Sequence, residues 1–213
     1  MIDSERRLYI RQLSAKLLLA QNNLSPVIDV RDMVLPKNIF ILSFDEYSRI
    51  TGCPVKELTH NGTYADGYTI IADNIKIVLY SSKYDFSCPQ RLRFSLAHEI
   101  GHIFLGHTED DDKSEEEANY FASQVVAHDA IAVSMLTGNW NVDLDFIRDQ
   151  LGISWDTAIL KLKYINRNKR AYSSAEYQLF TKYKYLFSTH KNNRNKFATA
   201  SNEIYVEFDE TFA

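Results

Sequence analysis

The stretch from Leu92 to Phe104 is apolar at helical spacing, through Leu92, Phe94, Leu96, Ile100, Ile103 and Phe104, yet it carries His98, Glu99 and His102 in its middle. Apolar residues all round a helix mean burial, and burying three ionisable groups costs several kcal/mol unless something compensates them. Four residues on a helix is about 400° of rotation, so the two imidazoles of H-E-x-x-H leave one face a turn apart and can hold one tetrahedral metal ion. Glu99 sits beside the first histidine, where its carboxylate can reach a water near the metal without ligating the metal itself. In a chain with 6 His the pattern arises by chance in about one sequence in a hundred. The fold therefore has to bury this helix and bring a third ligand to it.

A catalytic zinc takes three protein ligands and keeps one position open. His107 is the nearest candidate in H-E-I-G-H-I-F-L-G-H, but Gly106 and His107 are out of register with the metzincin pattern H-E-x-x-H-x-x-G-x-x-H. On a continued helix His107 would face away from His98, so it is expected to support the site rather than to ligate. Glu115, Glu116 and Glu117 open the next helical stretch, where a gluzincin places its third ligand. Glu115 and Asn119, at i and i+4, would put a ligand and a hydrogen-bonding amide on one face. That spacing favours Glu115 over Glu116 and Glu117, and Glu117 also pairs with Ser114 as a capping box.

Around this centre the chain alternates in period. Asp3 or Ser4 can cap a first helix with Tyr9, Leu13, Leu17 and Ala20 at helical spacing, and a short helix is expected after Pro26. Asn38 to Phe44 reads as a buried strand, and Tyr68 to Ala72 and Ile75 to Tyr80 as a hairpin turning at Asp73-Asn74. Ser87 with Gln90 offers a capping box to the H-E-x-x-H helix, and Gly106 a stop. Further helices are expected at 129–137, 143–151, 155–167 and 177–187, with a strand at 203–208. The fold class is α+β: a small antiparallel sheet packed on a helical core whose two central helices carry the zinc site.

At 213 residues, with 45% apolar and 24% charged residues, the chain is long enough for one domain with a small appendage, and disordered, collagen-like and coiled-coil classes are excluded. No apolar run approaches the ~18–20 residues of a membrane span, and the charged N-terminus without a cleavage site argues against a secretory signal. Cys53 and Cys88 are expected as free thiols in a reducing cytoplasm. The net charge of −4 is uneven: residues 161–196 hold ten lysines and arginines against the single Glu176, a net +9, leaving −13 for the rest. Such a stretch is either a solvated face or a docking surface.

The run from Arg91 to His107, R-L-R-F-S-L-A-H-E-I-G-H-I-F-L-G-H, followed by E-E-E-A-N-Y-F-A from Glu115 to Ala122, resembles the ImmA/IrrE family of bacterial and phage metallopeptidases, whose pattern is R-x-R-F-x-x-A-H-E-x-G-H and then E-x-E-A-N-x-F-A. The resemblance extends to Asp66-Gly67-Tyr68 and defines a metallopeptidase domain at 1–167, leaving 168–213 as a basic, Tyr/Phe-rich extension. It implies that His98, His102 and Glu115 ligate Zn2+ and that Glu99 is the general base, in agreement with the spacing. It further implies site-specific cleavage of a transcriptional regulator, a helix-turn-helix repressor of a phage or mobile element. His128 departs from the family, which has proline there, and reads as a change of chain direction. Tyr120, His107 and His128 are undiscriminated candidates for the donor that steadies the carbonyl oxygen.

Two other readings stand beside this one. Residues 146–166 have a helix, Gly-Ile-Ser, helix outline that would suit DNA binding, although Asp156 occupies the position where a recognition helix needs a cation. Alternatively the protein keeps its zinc and binds a repressor without cutting it. Trp140 and Trp155 are expected in a core or an interface, and the basic extension is expected to dock the substrate.

Overall fold

The structure is a computed structural model and describes residues 2–22, 25–62, 66–83, 87–109, 111–167 and 172–194. The strand expected at 203–208 lies outside these residues. The chain divides into two compact units, one built from Met1–Asp3 and Asp29–Ser123, the other from Ser4–Ile28 and Gln124–Ala213.

The first unit is a three-stranded sheet with helices. Strand β1 (Ile39–Ser43) leads directly into α2 (Phe44–Thr51), then α3 (Val55–Leu58), the hairpin β2 (Gly67–Ala72) and β3 (Ile75–Tyr80), α4 (Pro89–Leu105) and most of α5 (Asp112–Val126). The strand order is β1-β3-β2. The hairpin forms where the alternating sequence places it, antiparallel, with Asp73 at φ +51° in the turn. β1, however, runs parallel to β3, so the sheet is mixed rather than antiparallel. A parallel pair needs a crossover, and α2 and α3 lie within the intervening chain. Phe44, Leu58 and Leu79 form a core cluster, with Cys53, Tyr68 and Ile70 packed on it, and α4 packs on β2 and β3.

Two helix starts differ from expectation. Ser87 donates its hydroxyl to the Lys83 carbonyl instead of capping, and α4 begins at Pro89 after Cys88 with no side-chain cap. Asp111, not Ser114, holds the start of α5: its carboxylate accepts from the Ser114 backbone N–H at 2.7 Å. Asp and Ser cap about equally well, so the sequence offered two starts three residues apart. The helix α4 ends at Gly106, whose φ of +72° is the left-handed region that favours glycine.

The second unit contains α1 (Ser4–Leu19), α6 (Asp129–Met135), α7 (Trp140–Leu151), α8 (Trp155–Arg167) and α9 (Ser174–Arg194). The inward face of α1 carries Ile10, Ser14, Leu17 and Leu18, while Tyr9 is exposed. α9 packs on α1 and α6 through buried Leu179, Tyr183 and Phe187. The basic stretch thus supplies core as well as charge. Lys161 is buried and paired with Asp129 at 2.7 Å, and Glu176 with Arg11 at 2.9 Å. Trp140 and Trp155 are on the surface, 38% and 46% exposed, rather than in a core. Both cysteines are free. Among the described residues no helix is long and apolar enough to cross a membrane.

Candidate metal centre

The helix α4 brings His98 and His102 to one face, as four-residue spacing requires, and α5 crosses close to it at Gly101. A Cβ on Gly101 would stand 3.1 Å from the Phe121 ring and 3.3 Å from the Ala118 backbone, so glycine between the two histidines is what lets the helices approach. Phe104 stacks on Phe121 along the same contact. At this approach Glu115, in the first turn of α5, reaches both imidazoles.

His98 Nε2 and His102 Nε2 are 3.0 Å apart, His102 Nε2 is 3.1 Å from Glu115 Oε1, and His98 Nε2 is 3.4 Å from Glu115 Oε2. Among the described residues these three form a group whose ligand atoms all lie within 4.8 Å. Their spacing suits a zinc ion: bonds of ~2.0–2.1 Å at tetrahedral angles put ligand atoms about 3.3 Å apart. Two imidazole nitrogens and a carboxylate are also the donor set that zinc takes. All three side chains are partly exposed, leaving access for a fourth ligand.

The ring tautomers follow from the partners behind the two imidazoles. His98 Nδ1 lies 3.0 Å from Asn119 Oδ1 and donates to it, leaving Nε2 with its lone pair forward. Glu117, buried at the inner face of α5, accepts from His107 Nε2 at 3.1 Å. His107 Nδ1 is then an acceptor, 3.1 Å from His102 Nδ1, which donates, and His102 Nε2 also faces forward. Two lone pairs 3.0 Å apart repel unless a cation lies between them. Burial, and then the neighbouring His98, push the His102 imidazole below its ordinary pKa, toward the neutral form that ligates.

Glu99 is held by a different partner. Its Oε2 accepts a 2.6 Å hydrogen bond from Thr69 Oγ1 on β2. Beside it a cavity of about 230 Å3 is lined by His98, Glu99 and Asn119 together with the apolar Leu79, Phe94 and Leu96. Asp66, which also lines it, pairs with Arg91.

Of the residues singled out by sequence, His98, His102, Glu115, Glu99 and Asn119 are brought together, and His107 stands behind His102. Glu117 is not a cap but the far end of that chain of hydrogen bonds. Thr69 carries no such signal in the sequence, since nothing in a strand thirty residues upstream marks one threonine from another. His128 belongs to the second unit, where it caps α6: Nδ1 accepts from the Ala130 N–H and Nε2 donates to the Arg11 carbonyl, both at 3.1 Å.

The family model of the IrrE N-terminal-like domain, Peptidase_M78, matches residues 57–163. That is half of the chain and includes every residue of the centre, so the chain belongs to this family of metallopeptidases. No curated protein and no solved structure matches.

Proposed function

We propose that this member of the IrrE N-terminal-like family is a zinc-dependent endopeptidase that cuts one partner protein, a helix-turn-helix repressor of a phage or mobile element, in the cytoplasm. The observation that carries the reading is the convergence of His98 Nε2, His102 Nε2 and the Glu115 carboxylate, with a second carboxylate, Glu99, held beside them on a different partner. His98, His102 and Glu115 would hold the zinc, which when bound polarises a peptide carbonyl and makes a nearby water more acidic. Glu99 takes the proton of the attacking water and passes it to the leaving amine nitrogen. Thr69 engages Oε2 of Glu99, so Oε1 is the oxygen that takes the proton in this reading. The apolar walls of the adjacent cavity suit one apolar side chain of an extended peptide. The helix-turn-helix outline at 146–166 supports DNA contact poorly: Asp156 is exposed at the start of α8, and Lys161 is buried in an ion pair.

The test is to incubate the purified, zinc-loaded protein with the repressor encoded beside its gene. Wild type should cut it at one site, and Glu99→Gln should keep its zinc and leave the repressor whole. If Glu99→Gln relieved repression in cells as well as wild type, a protein that binds its regulator without cutting it would replace the protease.

A further inference from the structure

We propose that the buried pair Glu117 and His107 sets the zinc affinity of the centre, as positioning residues that act through His102. The proposal rests on the reading that His98, His102 and Glu115 hold zinc. The two ligand histidines are backed differently. His98 ends on a neutral amide, Asn119, whereas His102 ends, through one more imidazole, on a carboxylate. The side chains of His107 and Glu117 are only 8% and 3% exposed, so this carboxylate is held away from water at the cost of its hydration.

That placement makes sense if the charge is answered by a cation. Glu117 accepts from His107 Nε2, His107 accepts from His102 Nδ1, and each bond shifts electron density toward His102 Nε2, the atom facing Glu115 at 3.1 Å. A carboxylate at the end of such a chain raises the basicity of the ligand and fixes its ring. Glu115 directly and Glu117 through two rings together balance the two charges of a zinc ion. The third glutamate of the run is engaged elsewhere, because Glu116 accepts from the Ile2 backbone N–H at 3.2 Å.

The experiment is Zn2+ titration of the full-length, metal-stripped protein in competition with a fluorescent chelator, with Co2+ absorption as a second reading of ligand geometry. Glu117→Gln, which keeps the shape and removes the charge, should weaken zinc binding by about 10–100-fold. His107→Phe should do the same. His107→Gln should retain most of the affinity, because its amide can accept from His102 and donate to Glu117 at once. A space-filling role predicts the opposite order, with the phenyl ring tolerated better than the amide. Wild-type affinity in Glu117→Gln, or tighter binding by His107→Phe than by His107→Gln, would overturn the relay. Absence of zinc binding in wild type itself would overturn the zinc reading and the relay with it, and is told apart because no variant is then needed to see it.

Discussion

Thr69 Oγ1 donates a 2.6 Å hydrogen bond to Glu99 Oε2, tying the outer strand β2 of the sheet to the one carboxylate of the H-E-x-x-H helix. With Glu99 proposed as the general base, Thr69 on that strand is its positioning partner. A glutamate side chain has three rotatable bonds, and a hydrogen bond to a charged group contributes about 1.5–3 kcal/mol. Thr69→Val should therefore lower kcat about tenfold while leaving KM and zinc content near wild type. Thr69→Ser should restore kcat. Steady-state kinetics on a cleaved peptide decides it, and an unchanged kcat in Thr69→Val would show that Thr69 does not position Glu99.

Gly101 fixes the distance between the helices that carry His98, His102 and Glu115. Gly101→Val would drive methyl groups into the Phe121 ring and the Ala118 backbone. Such overpacking costs about 1–3 kcal/mol, and here it would also pull Glu115 away from the histidines. Lower thermal stability together with weaker zinc binding is expected. A variant that lost neither would show that the close approach at Gly101 is not needed.

Lys161 and Asp129 are a buried pair in the second unit, with side chains 8% and 0% exposed. Lys161→Met should destabilise the protein by about 3–5 kcal/mol, because it strands the Asp129 carboxylate. Urea unfolding of that variant beside Lys161→Met/Asp129→Asn should show the double variant less destabilised than the single.

Complete burial pushes the His128 imidazole below its ordinary pKa of 6.5, against the pull of Glu176 and Asp129. A histidine held neutral in the fold binds fewer protons folded than unfolded, so the stability it contributes is present above pH 6.5 and is lost as pH falls below that value. Thermal unfolding at about pH 7.5 and about pH 5.5, either side of that value, should show a drop for wild type. His128→Asn can still cap α6 by accepting from Ala130, and it should show a smaller drop.

Truncation after Asn168 removes Glu176 from Arg11, the Tyr183 hydroxyl from the Ser25 carbonyl, and three buried side chains, Leu179, Tyr183 and Phe187. The truncated chain should lose part of its helical signal cooperatively at lower temperature. A melt identical to wild type would instead mark α9 as dispensable to the core and leave the basic stretch to docking alone.

Local patterns in the sequence carried much of this. The i, i+4 histidines, the Glu115 and Asn119 pair and the hairpin at Asp73-Asn74 depend on periods of one turn or one residue, and these survive folding unchanged. What the sequence could not supply depends on partners far along the chain. The parallel pairing of β1 with β3 joins residues 37 apart, and either direction buries the same side chains. Thr69 acquires its role only when β2 is laid against α4. Glu117 resembles a cap because Ser114 stands three residues before it; with Asp111 holding the start of α5, Glu117 turns inward to His107.

In the proposed centre His98, His102 and Glu115 hold one zinc ion while Glu99 stands outside the ligand set. Elemental analysis of metal per chain tests it most directly, on wild type, Glu99→Gln, Glu115→Gln and the double variant His98→Ala/His102→Ala. Near-stoichiometric zinc is expected in wild type and Glu99→Gln, a clear loss in Glu115→Gln and almost none in the double variant. Full zinc in the double variant, or its loss in Glu99→Gln alone, would contradict it.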